Sequence, residues 1–240
     1  MLFRSILLAL VSATTVHGVH RWDSGKGIIY KLGVVQDVWL ENRYTNRNNY
    51  PYVIVSRLPQ FPNKRALFQF EDLPRQSCSP AHIQSANMYL YFWHASKASW
   101  HTITFTPTIP RHLEVHLVKK AWREAQATRY YRLRSIRWSS PWLRLDGTDA
   151  EAAPQRGKVT IFPFRRPGFV EFDITDPVKS WRSGVPNHGL LIHATNELAR
   201  GRSLRFVSNL QQRSLAACLC SGALRVRDIS AWHQPSQFIR

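Results

Sequence analysis

Residues 168–194 read GFVEFDITDPVKSWRSGVPNHGLLIHA, and the architecture of the chain turns on them. Val170, Phe172 and Ile174 alternate with Glu171, Asp173 and Thr175, the period of a strand with one buried face. Thr175 and Asp176 then offer oxygens for a helix start. Pro177 tolerates a first helical turn, and Val178 and Trp181 fall three apart on one face. Gly184 suits the left-handed residue that ends such a helix, and residues 186–189, PNHG, read as a turn. Residues 190–194 are apolar enough for a second, buried strand. The unit is strand, one short helix near 176–183, strand.

The strand signals continue on either side. Residues 52–58, 65–70, 83–93 and 102–106 carry β-branched and aromatic residues between Pro, Asn and Ser. In 83–93, Ala86, Met88, Leu90 and Phe92 point one way, and Asn87, Tyr89 and Tyr91 the other. Residues 113–118 alternate, 119–127 read as a short helix or an exposed connection, and 146–157 as a surface loop. Signals resume at 159–163, 204–208 and 223–228. Many short strands with one helix and no βαβ alternation imply an all-β fold, a two-sheet antiparallel sandwich. Phe172, Ile174, Val178, Trp181, Leu190 and Ile192 are assigned to its core.

Several blocks resemble a known family, in the family's order. FDITDPVKSWRSGVPNHGLLIHA is similar to the "FDVT..V..W..G..N.GL.L" signature of DNRLRE-type, or disaggregatase-related, domains, the family-96 carbohydrate-binding modules. It is more distantly similar to transforming-growth-factor latency propeptides. Asp37 in GVVQDVWLENRYTNRNNYPYVIV resembles the family's opening block, with Pro51 where a glycine is usual. Residues 65–74, RALFQFEDLP, with 83–91, IQSANMYLY, resemble "R.LL.FDL..LP...I.SA.L.LY". Residues 121–128, AWREAQAT, resemble "W.E...T", although Tyr130 and Tyr131 follow where a Trp is usual. The resemblance spans roughly residues 33–228. It implies a jelly-roll sandwich and a non-catalytic module that binds carbohydrate, or, from the propeptides, one that shields a protein partner.

At the N-terminus, Arg4 precedes an apolar run and the small residues of a plausible cleavage point, so residues 1–18 read as a secretory signal peptide. The expected layout is a signal at 1–18, an N-terminal extension at 19–32, the module at 33–230 and a tail at 231–240, secreted and extracellular, with no membrane span. Of the three cysteines, Cys78 is expected to pair with Cys218 or Cys220, leaving one thiol over.

The formal charge of +18, with a sequence pI near 10.6, draws polyanions. Outside a cell these are foremost acidic polysaccharides; nucleic acid is not expected. The stretch best suited to bind one is 129–144, RYYRLRSIRWSSPWLR. Guanidinium forks match carboxylate or sulfate oxygens, and aromatic faces accept sugar rings. Tyr130, Arg132, Arg134, Arg137, Trp138 and Trp142 are the candidate polysaccharide contacts; the other reading of the stretch is a half-buried connection with both Trp rings in the core. Arg200, Arg202 and Arg205 form a secondary basic patch.

Chemistry beyond binding is sparse. His112, Glu114 and His116 share one strand face, but alternate residues on a strand lie about 7 Å apart and converge poorly on a metal, so an exposed polar face is expected there. Asp146, Asp149 and Glu151 share a loop, yet no calcium ligand set can be assembled from them. No cofactor, metal ligand or catalytic residue is assigned. Glu171 and Asp173 lie on one strand face as the sole suggestion of a glycosidase pair. The expected function is a secreted non-catalytic module for an anionic polysaccharide. The alternative is an extracellular structural or protein-interaction module, and a glycan lyase or hydrolase ranks third.

Overall fold

A computed structural model of the chain describes residues 20–23, 28–41, 46–56, 63–74, 78–97, 104–105, 110–155, 158–162, 165–195, 202–207 and 215–220. Two antiparallel sheets pack face to face. One contains β1 (His20–Asp23), the first half of β2 (Ile28–Leu40), β3 (Tyr52–Val55), β5 (Ile83–Lys97), β6 (Thr104–Phe105), β11 (Gly168–Asp173), β13 (Arg202–Val207) and β14 (Leu215–Cys220). The other contains the second half of β2, β4 (Arg65–Phe70), β7 (Arg111–Leu117), β10 (Val159–Ile161) and β12 (Leu190–Ala194). A separate hairpin joins β8 (Tyr131–Leu133) to β9 (Ile136–Arg137). The fold is the all-β sandwich with one short helix that the alternation predicts. Among the described residues no helix is long and apolar enough to cross a membrane.

β2 serves both sheets because of a bulge. Its pairing with β4 shifts between Val34 and Gln36. An extra residue in a strand reverses the side on which every later side chain emerges. Tyr30, Leu32 and Val34 therefore face the main core before the bulge. After it Trp39 does so, while Val38 and Leu40 turn to a second cluster. Within the segment expected as an N-terminal extension at 19–32, the described residues are β1 and the start of β2.

The 168–194 unit bridges the two sheets. β11 pairs with β5 in the first and β12 with β4 and β7 in the second. Helix α1 (Thr175–Arg182) joins them. Thr175 does not cap the helix: its Oγ1 accepts from the Ala86 amide at 2.9 Å, docking α1 on β5, and Asp173 Oδ1 takes the Thr175 amide instead. The end is as expected. Gly184, at φ +103°, donates to the Trp181 carbonyl, and Val185 donates to that of Ser180, which satisfies two orphan carbonyls of the last turn. Gly189 then passes against β4, at φ +78°, where a Cβ would lie 2.2 Å from the Phe68 carbonyl oxygen.

The main core fills the space between the sheets, with Ala86, Met88, Leu90 and Phe92 of β5 facing Phe68, Val115, Leu190 and Ile192. The second cluster lies on the outer face of the smaller sheet. There Val38, Leu40, Leu67 and Leu191 are covered by Val118, Trp122, Trp138, Leu143 and Ala150. Residues 119–127, expected as a helix or an exposed connection, form turns that bury Trp122 and Ala127.

Candidate functional site

The connection between β7 and β10 is a layer held by polar contacts within itself and to Asn46, Arg65 and His188. Each buried indole gives its N–H to a backbone carbonyl, Trp122 to His188 at 2.8 Å and Trp138 to Thr128 at 3.1 Å. Thr128 Oγ1 accepts the Tyr131 amide at 3.1 Å, and Asn46 Nδ2 donates to the Ala127 carbonyl at 2.8 Å. Arg65 Nη1 holds the carbonyls of Trp142 and Leu143 at 2.9 and 2.7 Å. Those two residues adopt φ values of +65° and +66°, a conformation that side chains disfavour, so the guanidinium sits where the backbone most needs fixing. Asp149 is fully buried, and its carboxylate accepts the Ser139 amide and hydroxyl and the Arg144 amide. The Asp149 carboxylate thus serves the backbone of its own loop, chiefly through Oδ2. Asp146 pairs with Arg144 in the same loop.

This layer presents a cleft of about 580 Å³, lined by Asn46, Gln126, Tyr131, Leu133, Arg134 and Arg137 among others. Ser135, at φ +64°, turns the hairpin between β8 and β9. Gln126 Oε1 accepts the Arg134 amide at 2.7 Å, and the Arg137 guanidinium lies 5.7 Å from the Tyr131 ring centre. Both arginines are exposed. The arrangement offers two exposed guanidinium groups and a ring on a braced backbone, which suits an anionic ligand.

The other candidate residues go elsewhere. Trp138 is buried in the second cluster, and a ring packed on both faces offers none to a ligand. Trp142 packs against that cluster with the Arg129 guanidinium 3.6 Å from its ring centre; the same guanidinium lies 4.6 Å from Tyr130. Arg132 Nη1 donates to the Ala121 carbonyl at 2.8 Å and does not line the cleft. Tyr131, Leu133, Asn46 and Gln126 line the cleft but are not among the contacts expected from 129–144. Asn46 in particular lies far upstream in sequence and carries no local signal.

Of the secondary basic patch, Arg200 lies outside the described residues and Arg202 is in β13 opposite Lys97. Arg205 lies 4.6 Å from the centre of the Tyr52 ring. Tyr52 belongs to an aromatic row with Trp39, Tyr50 and Trp93, in which Tyr50 and Trp93 keep 36 % and 40 % of their surface exposed. The row is assembled from three strands and the turn before β3, so no stretch of sequence announces it.

The polar row on β7 also differs from expectation. His112 Nδ1 sits 3.0 Å from Thr160 Oγ1, while Glu114 and His116 turn toward His193 of β12, and His116 is buried rather than exposed. The pair Glu171 and Asp173 is divided. Asp173 serves the start of α1, and burial holds the Glu171 carboxyl above its usual range beside the Tyr89 hydroxyl. Cys78 is bonded to Cys220, tying the loop before β5 to β14, and burial pushes the remaining Cys218 thiol up to about 12, too high for a reactive thiolate. The segments 1–18 and 231–240, and the strand expected at 223–228, lie outside the described residues. No family model matches this chain, and no curated protein matches it either.

Proposed function

We propose that the protein is a secreted, non-catalytic β-sandwich module that holds an anionic polysaccharide in the cleft beside the β8–β9 hairpin. The observation that carries this reading is the placement of Arg134, Arg137 and Tyr131 around one cleft on a backbone braced by Gln126 and Thr128. Charge of +18 supplies long-range attraction, and paired guanidinium groups supply the short-range match to carboxylate or sulfate. The signal-like first 18 residues and the Cys78–Cys220 bridge favour an oxidising, extracellular setting. The likeness of the 168–194 block to family-96 carbohydrate-binding modules favours the same ligand class.

The test is binding of the purified chain to neutral, uronate and sulfated polysaccharides at low and physiological salt, with Arg134→Ala/Arg137→Ala and Arg132→Ala beside it. The expected result is selective binding to one acidic glycan at physiological salt, weakened roughly tenfold or more in the double variant and little changed by Arg132→Ala. Equal binding to every polyanion, abolished by salt and indifferent to the double variant, rejects the cleft as the site. It would point to a protein partner instead.

A further inference from the structure

Three side chains on the outer face of the smaller sheet converge as the sequence spacing alone does not predict. Glu114 and His193 are directly opposite one another on β7 and β12, and His116 lies two residues along β7 on the same face. Neighbouring strands are about 4.8 Å apart, closer than alternate residues of one strand, so the cross-strand histidine completes what the row on β7 cannot. His116 Nε2 stands 3.2 Å from His193 Nε2 and 3.7 Å from Glu114 Oε2, and His193 Nε2 stands 3.4 Å from the same oxygen.

The outer contacts of these groups decide what the inner atoms offer. His116 Nδ1 is 2.9 Å from the Glu151 carbonyl and His193 Nδ1 is 3.2 Å from the Ala194 carbonyl. A carbonyl oxygen only accepts, so the ring hydrogen of each histidine belongs on Nδ1 and a lone pair is left on Nε2. Glu114 Oε1 is engaged by Lys158 at 3.0 Å, leaving Oε2 turned inward. Two imidazole lone pairs and a carboxylate oxygen thus meet at one point. Three such atoms repel one another unless a cation joins them.

We infer that Glu114, His116 and His193 form a binding site for a divalent transition-metal ion of the zinc type. Zinc–nitrogen and zinc–oxygen bonds of about 2.0–2.1 Å in tetrahedral geometry set ligand atoms about 3.4 Å apart, which the three observed separations bracket. Two imidazoles and one carboxylate are a borderline-soft donor set, unsuited to calcium and magnesium, which take oxygen ligands. The hydrogen bonds from Nδ1 to carbonyls are the outer contacts that orient metal-bound histidines. The ion would tie β7 to β12 and, through His116, to the loop at Glu151. This site is distinct from the cleft and does not depend on the polysaccharide reading.

The test uses the tag-free full chain, freed of metal by a chelator and titrated with Zn²⁺ by calorimetry and with Co²⁺ by visible absorption. One equivalent should bind saturably, with the strong visible bands of four-coordinate Co²⁺ displaced by Zn²⁺. His193→Ala should weaken Zn²⁺ binding by roughly 100-fold or more and Glu114→Gln by about tenfold, while His112→Ala, on the same strand face but outside the cluster, leaves it unchanged. Each variant is compared after circular dichroism in chelator establishes wild-type secondary structure. The inference is overturned if the wild type gives no saturable one-equivalent binding. It is overturned equally if His193→Ala binds within about threefold of wild type, or if His112→Ala loses as much as His193→Ala.

Discussion

Replacing Asp149 by alanine tests whether the layer that carries the cleft is held by one buried carboxylate. Asp149 is 1 % exposed and accepts three hydrogen bonds, from the Ser139 amide at 3.0 Å, the Ser139 hydroxyl at 2.5 Å and the Arg144 amide at 2.9 Å. Hydrogen bonds to an ionised acceptor contribute about 1.5–3 kcal/mol each where water cannot replace them. Ser139 and Arg144 are themselves exposed, so water recovers part of the loss. Asp149→Ala should therefore cost about 3–4 kcal/mol. Asp149→Asn should cost about 2 kcal/mol, since its one oxygen can replace Oδ2, which accepts both amides and the hydroxyl, but as a neutral and weaker acceptor, while its NH2 group replaces Oδ1 beside the Ser139 amide. Ser139→Ala removes only the hydroxyl and should cost about 1 kcal/mol, a cost that largely vanishes in the Asp149→Ala background. Urea unfolding followed by circular dichroism, with the midpoint lowered at constant slope, measures all four. A loss below about 1 kcal/mol for Asp149→Ala, or full additivity with Ser139→Ala, would refute the reasoning.

Further expectations concern the same layer and its anchors. Glu124 is half-buried, and its burial with the nearby charge of Asp37 raises its carboxyl from 4.5 to about 7. The folded state therefore binds this proton more tightly than the unfolded chain. The contribution is present in full below about pH 4.5, falls as pH rises and is gone above about pH 7. Discounted for solvent screening it amounts to about 1–2 kcal/mol, and Glu124→Gln should flatten that slope in urea midpoints taken across the range. Gly189→Ala forces a left-handed residue and drives a methyl into the Phe68 carbonyl, so a loss of about 3 kcal/mol or more is expected in thermal unfolding; a loss under 1 kcal/mol contradicts the close approach. Arg65→Met removes the donor to the Trp142 and Leu143 carbonyls and should cost about 2 kcal/mol. Increased proteolysis in 140–146 of the Arg65 variant, relative to β5, would show that the loss is local.

What the sequence discloses is what strands and turns encode locally. The alternation around Met88, the Gly184 helix end and the buried run at 190–194 are each set by neighbouring residues, and each appears where the pattern predicts. β2 and β14 do not announce themselves. The bulge at Val34–Gln36 breaks the period of two in β2, and β14, LAACLC, has no alternation. The Arg- and aromatic-rich composition of 129–144 is visible in the sequence, but which of its side chains share a surface is not, since a hairpin turned by Ser135 and an indole drawn into the second cluster decide it. Histidine at 193 looks like one polar residue in a buried strand. Its meaning depends on the register that sets it opposite Glu114, and register is a property of two strands.

The long strand that crosses from one sheet to the other has a mechanical corollary. Because residues 28–33 of β2 are laced to β14 and residues 36–40 to β4, a single backbone rail runs through both halves of the sandwich. Neither sheet can peel away without breaking the other's ladder. Amide protons at the two ends of β2 should then exchange with one common opening free energy, as parts of a single cooperative unit and not as two sheets breathing apart.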